Sequence, residues 1–217
     1  MNLKPFIIYF TAFLLVGQNA VAQKRYLVGA GSLTYKTFSK VLVDKHLKDT
    51  FSFAKNWDYS WEVFKDDSTG EFSKNDDEPI TPADTAHLFF TANCSTNVQG
   101  GYDIRYCFAN KTKDGLILIF SDGLPAYASE FYVHIQGDSF YFEPQTVYPA
   151  LIPGQKTSYQ VTKQRLMLNK SRYSLGDIII GYVDMEFTET VSIPEKGTQK
   201  DTFYLRGYIR TGLKRQP

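Results

Sequence analysis

Histidine and cysteine are scarce in this chain, three and two in 217 residues. His46, His87 and His134 stand far apart, and no metal-site spacing accompanies them. Two cysteines are too few for a disulfide-dense scaffold, and Cys94 and Cys107 lie too far apart for a C-x-x-C redox motif. An excess of either charge is also missing. Residues 1–22 hold one lysine and no other charge, and without them 23 basic residues face 23 acidic ones. That balance argues against a nucleic-acid binder, which replaces counterions with a basic surface. It also gives no electrostatic reason to lie on an anionic membrane. No glycine-rich phosphate loop occurs, so neither cofactor nor metal is expected.

Long apolar runs are absent with one exception. Lys4 precedes an apolar stretch from Phe6 to Gly17, followed by Ala20-Val21-Ala22. About 12 residues fall short of the ~20 that span a bilayer. The charge, the apolar stretch and the small-x-small triplet have the form of a secretory signal. The expectation is cleavage after Ala22, a mature chain from Gln23, and a secreted or periplasmic location. No cysteine at that point offers a lipid attachment site, and no later segment is apolar enough to form a transmembrane helix.

Aromatic residues are abundant, with 17 Phe and 15 Tyr. They favour strands. From residue 86 onward, apolar and polar residues alternate in segments at 86–93, 102–109, 115–120, 129–136, 139–143, 157–169, 176–189 and 202–211. Clusters rich in Gly, Pro, Asn or Asp separate most of them. Short strands at such spacing predict an all-β, mostly antiparallel fold, read as a single β-sandwich domain over 23–217 with its regular core at 86–213. The N-terminal part, 23–80, is less regular and has room for a separate lobe. Phe38, Val41, Leu42 and Leu47 fit one face of a short helix, and Val41 with Val43 fits a strand about as well; one short helix is the expectation. Residues 65–85 read as an acidic loop, with a small hairpin turn at Asp67–Gly70.

The two cysteines suggest a bridge. If Gly100-Gly101 forms a two-residue hairpin loop, Cys94 falls opposite Cys107 in a non-hydrogen-bonded pair. Export would place that pair in an oxidising compartment, so a structural disulfide is expected, with a wider loop carrying the same bridge as the alternative.

Gly137-Asp138-Ser139-Phe140 resembles the nucleophile block of the GDSL-type esterases and lipases. Asp84-Thr85-Ala86-His87 has the spacing of their Asp-x-x-His block. The resemblance covers eight residues, its blocks run in the reverse order, and no strand–helix alternation surrounds them. A two-residue hairpin loop at Gly137-Asp138 accounts for the stretch better. It sets Ile135 against Phe140 and Val133 against Phe142, with every large apolar side chain on one face. Glu143 and Glu186 are the only carboxylates that suggest glycoside hydrolysis, and both occupy outward strand positions.

Two rows qualify as ligand surfaces. In residues 51–64, Trp57, Tyr59 and Trp61 share one side of an alternating segment, either as a core face or as a ring-stacking platform. Near the C-terminus, Tyr204, Arg206, Tyr208 and Arg210 share the outward side of a strand. They can pair with Asp184 and Glu186 across the sheet or grip a partner, since Tyr and Arg are enriched at binding hot spots. The resulting expectation is a non-catalytic interaction module that binds a protein or glycan through one sheet face. A hydrolase of polysaccharide or ester and a structural component of a cell-surface assembly are the alternatives. Sequons occur at Asn93, Asn110 and Asn169.

Overall fold

The computed structural model describes residues 25–26, 36–47, 57–59, 63–74, 79–121, 130–145 and 155–215. The expected signal segment, residues 1–22, and Trp61 lie outside the described residues, as does the side chain of Trp57. The described chain is almost wholly strand. Its N-terminal strands are β1 (Arg25–Tyr26), β2 (Lys36–Thr37), β3 (Ser39–Lys40), β4 (Leu42–Val43), β5 (Trp57–Asp58), β6 (Val63–Lys65) and β7 (Phe72–Lys74). There follow β8 (Leu88–Phe89), β9 (Ala92–Thr96), β10 (Tyr102–Ile104), β11 (Tyr106–Lys111), β12 (Leu116–Ser121), β13 (Glu130–Gln136) and β14 (Ser139–Gln145). The last three are long: β15 (Lys156–Leu168), β16 (Ile178–Ile193) and β17 (Gly197–Arg215).

One sheet dominates, in the order β3-β14-β13-β12-β11-β17-β16-β15-β4, with the β9–β10 pair joined to β17. Its two terminal strands are neighbours in sequence. Ser39–Lys40 pairs with β14, and Leu42–Val43 pairs with β15. The stretch 39–43 therefore bridges both ends of the strand order, and the sheet is nearly closed and barrel-like rather than an antiparallel sandwich. It is also mixed, because β11–β17 and β15–β4 run parallel. A sandwich and a barrel both bury one face of each strand, so the alternation that predicted the first serves the second equally well.

The expected short helix is corrected too. Residues 36–43 are extended, and Val41 is buried where the segment passes from one sheet edge to the other. Its amide donates to the Asp138 carbonyl at 2.8 Å, and the Asp44 amide donates to the Leu168 carbonyl at 3.0 Å. Gln164 closes the gap between those bonds. Its Nε2 donates to the Thr37 carbonyl at 2.7 Å and to Ser39 Oγ at 2.9 Å, while its Oε1 accepts the Phe142 amide at 3.0 Å. One side-chain amide thus supplies partners that a regular ladder would have supplied, as buried backbone groups require.

The interior is apolar. Phe120, Phe131, Phe140, Phe187, Leu118, Leu166, Ile179, Met185, Leu205 and Ile209 are fully buried. The β13–β14 hairpin takes the predicted register, with Gln136 opposite Ser139, Ile135 opposite Phe140 and Val133 opposite Phe142. Gly137, at φ 62°, supplies the left-handed residue that so tight a loop needs. The small β6–β7 hairpin also forms, its turn held by Asp66 Oδ1 accepting the Ser68 amide at 2.7 Å and the Ser68 hydroxyl at 2.6 Å. No helix among the described residues is long and apolar enough to cross a membrane.

The cysteines are not bridged. Both are free and buried, 2% and 0% exposed. The β9–β10 connection is a five-residue loop containing a 3-10 turn at Val98–Gly100, closed by Thr96 opposite Tyr102. This register sets Cys94 against Ile104, and Cys107 pairs with Phe120 on β12 instead. Burial of Val98, 0% exposed, draws the loop inward, and apolar burial there outweighs the shorter Gly-Gly turn. Cys94 Sγ contacts the Tyr208 carbonyl at 3.4 Å, and the Cys107 amide donates to Thr91 Oγ1 at 2.7 Å. Burial raises both thiols above their ordinary range. A buried thiol of raised pKa is a poor nucleophile. Iodoacetamide at pH 8 is expected to leave both cysteines unmodified in the folded protein and to alkylate both in guanidinium. A Cys94–Cys107 peptide under non-reducing mass spectrometry would refute this.

Candidate binding face on the C-terminal strands

The long strands β15, β16 and β17 pair side by side, and β9 extends the sheet beyond β17. Alternation gives each an inward and an outward row. On β17, Leu205, Gly207, Ile209, Thr211 and Leu213 are buried, while Arg206, Tyr208 and Arg210 are exposed and Tyr204 is half-buried. All four predicted residues of this row share the outward side. The pairing register places Arg165 beside Asp184, Asp184 beside Arg206, and Arg206 beside Ser95. A second row runs from Met167 through Tyr182 and Tyr208 to Asn93.

An ion network sits at the centre. Arg206 Nε donates to Asp184 Oδ1 at 2.9 Å, and Arg206 Nη2 donates to Glu186 Oε1 at 3.3 Å. Lys163 Nζ lies 2.7 Å from Asp184 Oδ2 and 3.5 Å from Glu186 Oε1. Burial pulls the Asp184 carboxyl upward, but hydrogen bonds and charge from Lys163 and Arg206 outweigh it and hold the group below its ordinary value. The same hydrogen bond to Asp184 raises Lys163 and Arg206. The expected cross-strand pairing of arginine with Asp184 and Glu186 is therefore present for Arg206. Asp184 is buried while Lys163 and Arg206 reach solvent, and the network fixes where the guanidinium points.

Tyrosines flank the network. Tyr182 and Tyr208 meet edge to face with centroids 4.7 Å apart, and the Arg206 guanidinium lies 5.5 Å from the Tyr204 ring centre. Asn97 ties the end of β9 to β17. Its Nδ2 donates to the Thr202 carbonyl at 3.1 Å, and its Oδ1 accepts the Tyr204 amide at 2.9 Å. That role, the β9 ladder carried one step further by a side chain, has no signature in the sequence beyond an asparagine next to a turn.

Of the other predicted row, only the Trp57 backbone and Tyr59 are among the described residues. Trp57 pairs with Phe89 in a separate two-stranded unit. Tyr59 packs against Phe72 and His87, each 5.1 Å away, and its hydroxyl lies 3.0 Å from His87 Nε2. Asp84 accepts from the Thr81 amide and hydroxyl and binds Lys74 at 3.0 Å. The two carboxylates that suggest hydrolysis are each already engaged. Glu186 is held by Arg206 and Lys163. Glu143 lies 2.8 Å from His134 Nε2, and this hydrogen bond lowers its pKa against the opposing effect of burial. His134 in turn stacks on Tyr141 at 4.3 Å, and Lys36 donates to the Tyr141 hydroxyl at 3.0 Å. Among the described residues no His, Cys, Asp and Glu group forms a metal centre. No family model, curated protein or solved structure matches the chain.

Proposed function

We propose that the chain is an exported interaction module that holds an acidic protein surface on the outward face of β15, β16, β17 and β9. The observation that supports this is the Lys163–Asp184–Arg206–Glu186 network between Tyr182, Tyr204 and Tyr208 on one sheet face. With Arg165 and Arg210 also outward, four cations accompany three carboxylates, the third being Asp103, which stands opposite Ser95 at the far end of the Arg206 row. The surplus favours a negatively charged partner, and the network pre-organises Arg206 so that less side-chain freedom is lost on binding. A glycan is the weaker reading, because Arg206 covers the Tyr204 ring and Tyr182 abuts Tyr208, which leaves less open ring face for a sugar. Export rests on the segment 1–22.

The test uses the exported protein against an acidic-peptide array and a glycan array. Acidic peptides are expected to bind, more weakly as salt rises. Two hot-spot tyrosines at about 2 kcal/mol each imply that Tyr204→Ala with Tyr208→Ala weakens binding by more than ~100-fold. Unchanged affinity in the double variant would show that the face is wrong. Glycan capture without acidic-peptide capture would replace the protein partner by a sugar.

A further inference from the structure

A separate cavity of about 360 Å³ opens at one end of the barrel-like sheet. That is within the ~300–1,000 Å³ of small-molecule sites, which are common in the mouths of β-barrels. Its floor is apolar: Val41, Leu116, Ile135 and Leu168, each 7% exposed or less. These come from four different strands or their junctions. Leu116 and Ile135 are direct cross-strand partners, and Val41 is tied to the β13–β14 turn through the Asp138 carbonyl. The rim is different in kind. Lys111, Lys113 and Arg172 line it against one carboxylate, Asp114, and among the described residues none of the three cations makes an ion pair.

Strand parity makes one of these lysines informative. On β11, Cys107 and Ala109 face the core and Phe108 faces out. Lys111 is the next residue of the inward row, so it leaves the barrel at the mouth rather than along the outer wall. Its parallel partner on β17 is Arg215, which ends the inward row of Ile209, Thr211 and Leu213. Two neighbouring strands thus end their core-facing rows in a cation, and of the two Lys111 lines the cavity. A lysine or arginine ending an inward row has no part in the apolar core, whose buried members stop at Ala109 and Leu213. The adjoining backbone also packs closely. A Cβ on Gly115 would lie 1.9 Å from the Ile135 carbonyl oxygen, so that turn can sit against the floor only as glycine.

We propose that this mouth binds a small amphiphilic anion, an aliphatic monocarboxylate whose tail covers Val41, Leu116, Ile135 and Leu168 and whose head meets Lys111, Lys113 and Arg172. An apolar floor answers the tail, and an unpaired cationic rim answers a single negative head. This site is independent of the sheet face described above.

The probe is decanoate, followed by calorimetry and by methyl chemical shifts of the whole protein. Decanoate is expected to bind, with the shifts concentrated at Val41, Leu116, Ile135 and Leu168. Decanol, which lacks the charge, and acetate, which lacks the tail, are each expected to bind at least 10-fold more weakly. Lys113 and Arg172 are exposed, so Lys113→Gln with Arg172→Gln is expected to keep the fold and to weaken decanoate at least 10-fold while leaving decanol unchanged. No decanoate binding at millimolar concentration would overturn the proposal, as would equal affinity in the double variant or shifts spread away from the floor. Binding to phosphatidylglycerol vesicles without binding of monomeric decanoate would overturn it in favour of a membrane surface.

Discussion

Gly207→Ala is expected to destabilise the protein by on the order of 3 kcal/mol or more, one of the largest effects of any single-methyl change in the chain. Two independent costs meet at this position. The residue has φ 150°, a conformation that L side chains rarely adopt. A Cβ there would also lie 2.2 Å from the Asn93 carbonyl oxygen and 2.5 Å from the Cys94 Cα, both of them backbone. Gly207 is the cross-strand partner of Cys94, so the strand β9 is seated on β17 only because no side chain intervenes. Urea unfolding measures the cost. At ~2–4 °C per kcal/mol for a chain of this size, the melting temperature should fall by roughly 6–12 °C. Gly212→Ala is the control on the same strand. Its Cβ would meet only Ile178 Cδ1, at the ordinary distance of 3.9 Å, and the change is expected to stay within ~0.5 kcal/mol. Equal stability of the two variants would mean that β9 does not approach β17 as closely as described.

That prediction also explains what the sequence could convey. The β13–β14 hairpin was readable to the residue because its information is local. A two-residue loop fixes the register, and one register alone puts Val133, Ile135, Phe140 and Phe142 on a common face. The pairing of Arg206 with Asp184 was readable for a similar reason, since two adjacent long strands joined by a short turn leave few registers to choose from. Ring closure was not readable. It depends on parallel pairings between Ala109 and Leu213 and between Met167 and Leu42, which lie about a hundred residues or more apart and leave no trace in the local alternation. The stretch 36–43 misled for a related reason. Its residues serve β14 and then β15, so its burial follows neither the helical nor the strand period, and only Val41 at the changeover is buried.

The candidate face divides in the same way. Its residues were legible, because Tyr and Arg at 204, 206, 208 and 210 alternate with Leu205, Gly207 and Ile209. Their bracing was not. Asn97 acts through its side chain on Thr202 and Tyr204, across a sequence separation of more than a hundred residues. The cysteine register failed at the same loop. The Gly-Gly pair suggested the tightest hairpin, whereas Val98 gains more by entering the core than the chain gains by turning early. Gly100 and Gly101 still take positive φ, 90° and 97°, but as the end of a five-residue loop.

Phe187→Ala is expected to cost about 3–5 kcal/mol, the range for deleting a fully buried aromatic ring. Phe187 is 0% exposed, and its ring lies 5.7–6.1 Å from those of Phe131, Phe142, Tyr159 and Phe203. These partners come from β13, β14, β15 and β17, strands on both sides of the seam that Gln164 closes. One ring therefore ties together walls of the barrel that are not neighbours in the hydrogen-bonded order, and little else can move to refill the space. Phe108→Ala on β11 supplies the comparison. That ring is 48% exposed on the outer wall, and its loss is expected to cost less than about 1 kcal/mol. Chemical denaturation of both variants, read by tyrosine fluorescence and far-ultraviolet dichroism, separates them. Similar small costs would mean that Phe187 does not sit between the walls. A large cost for Phe187 alone, with both probes still unfolding together, would mean that the two halves of the sheet share one core and melt as a unit.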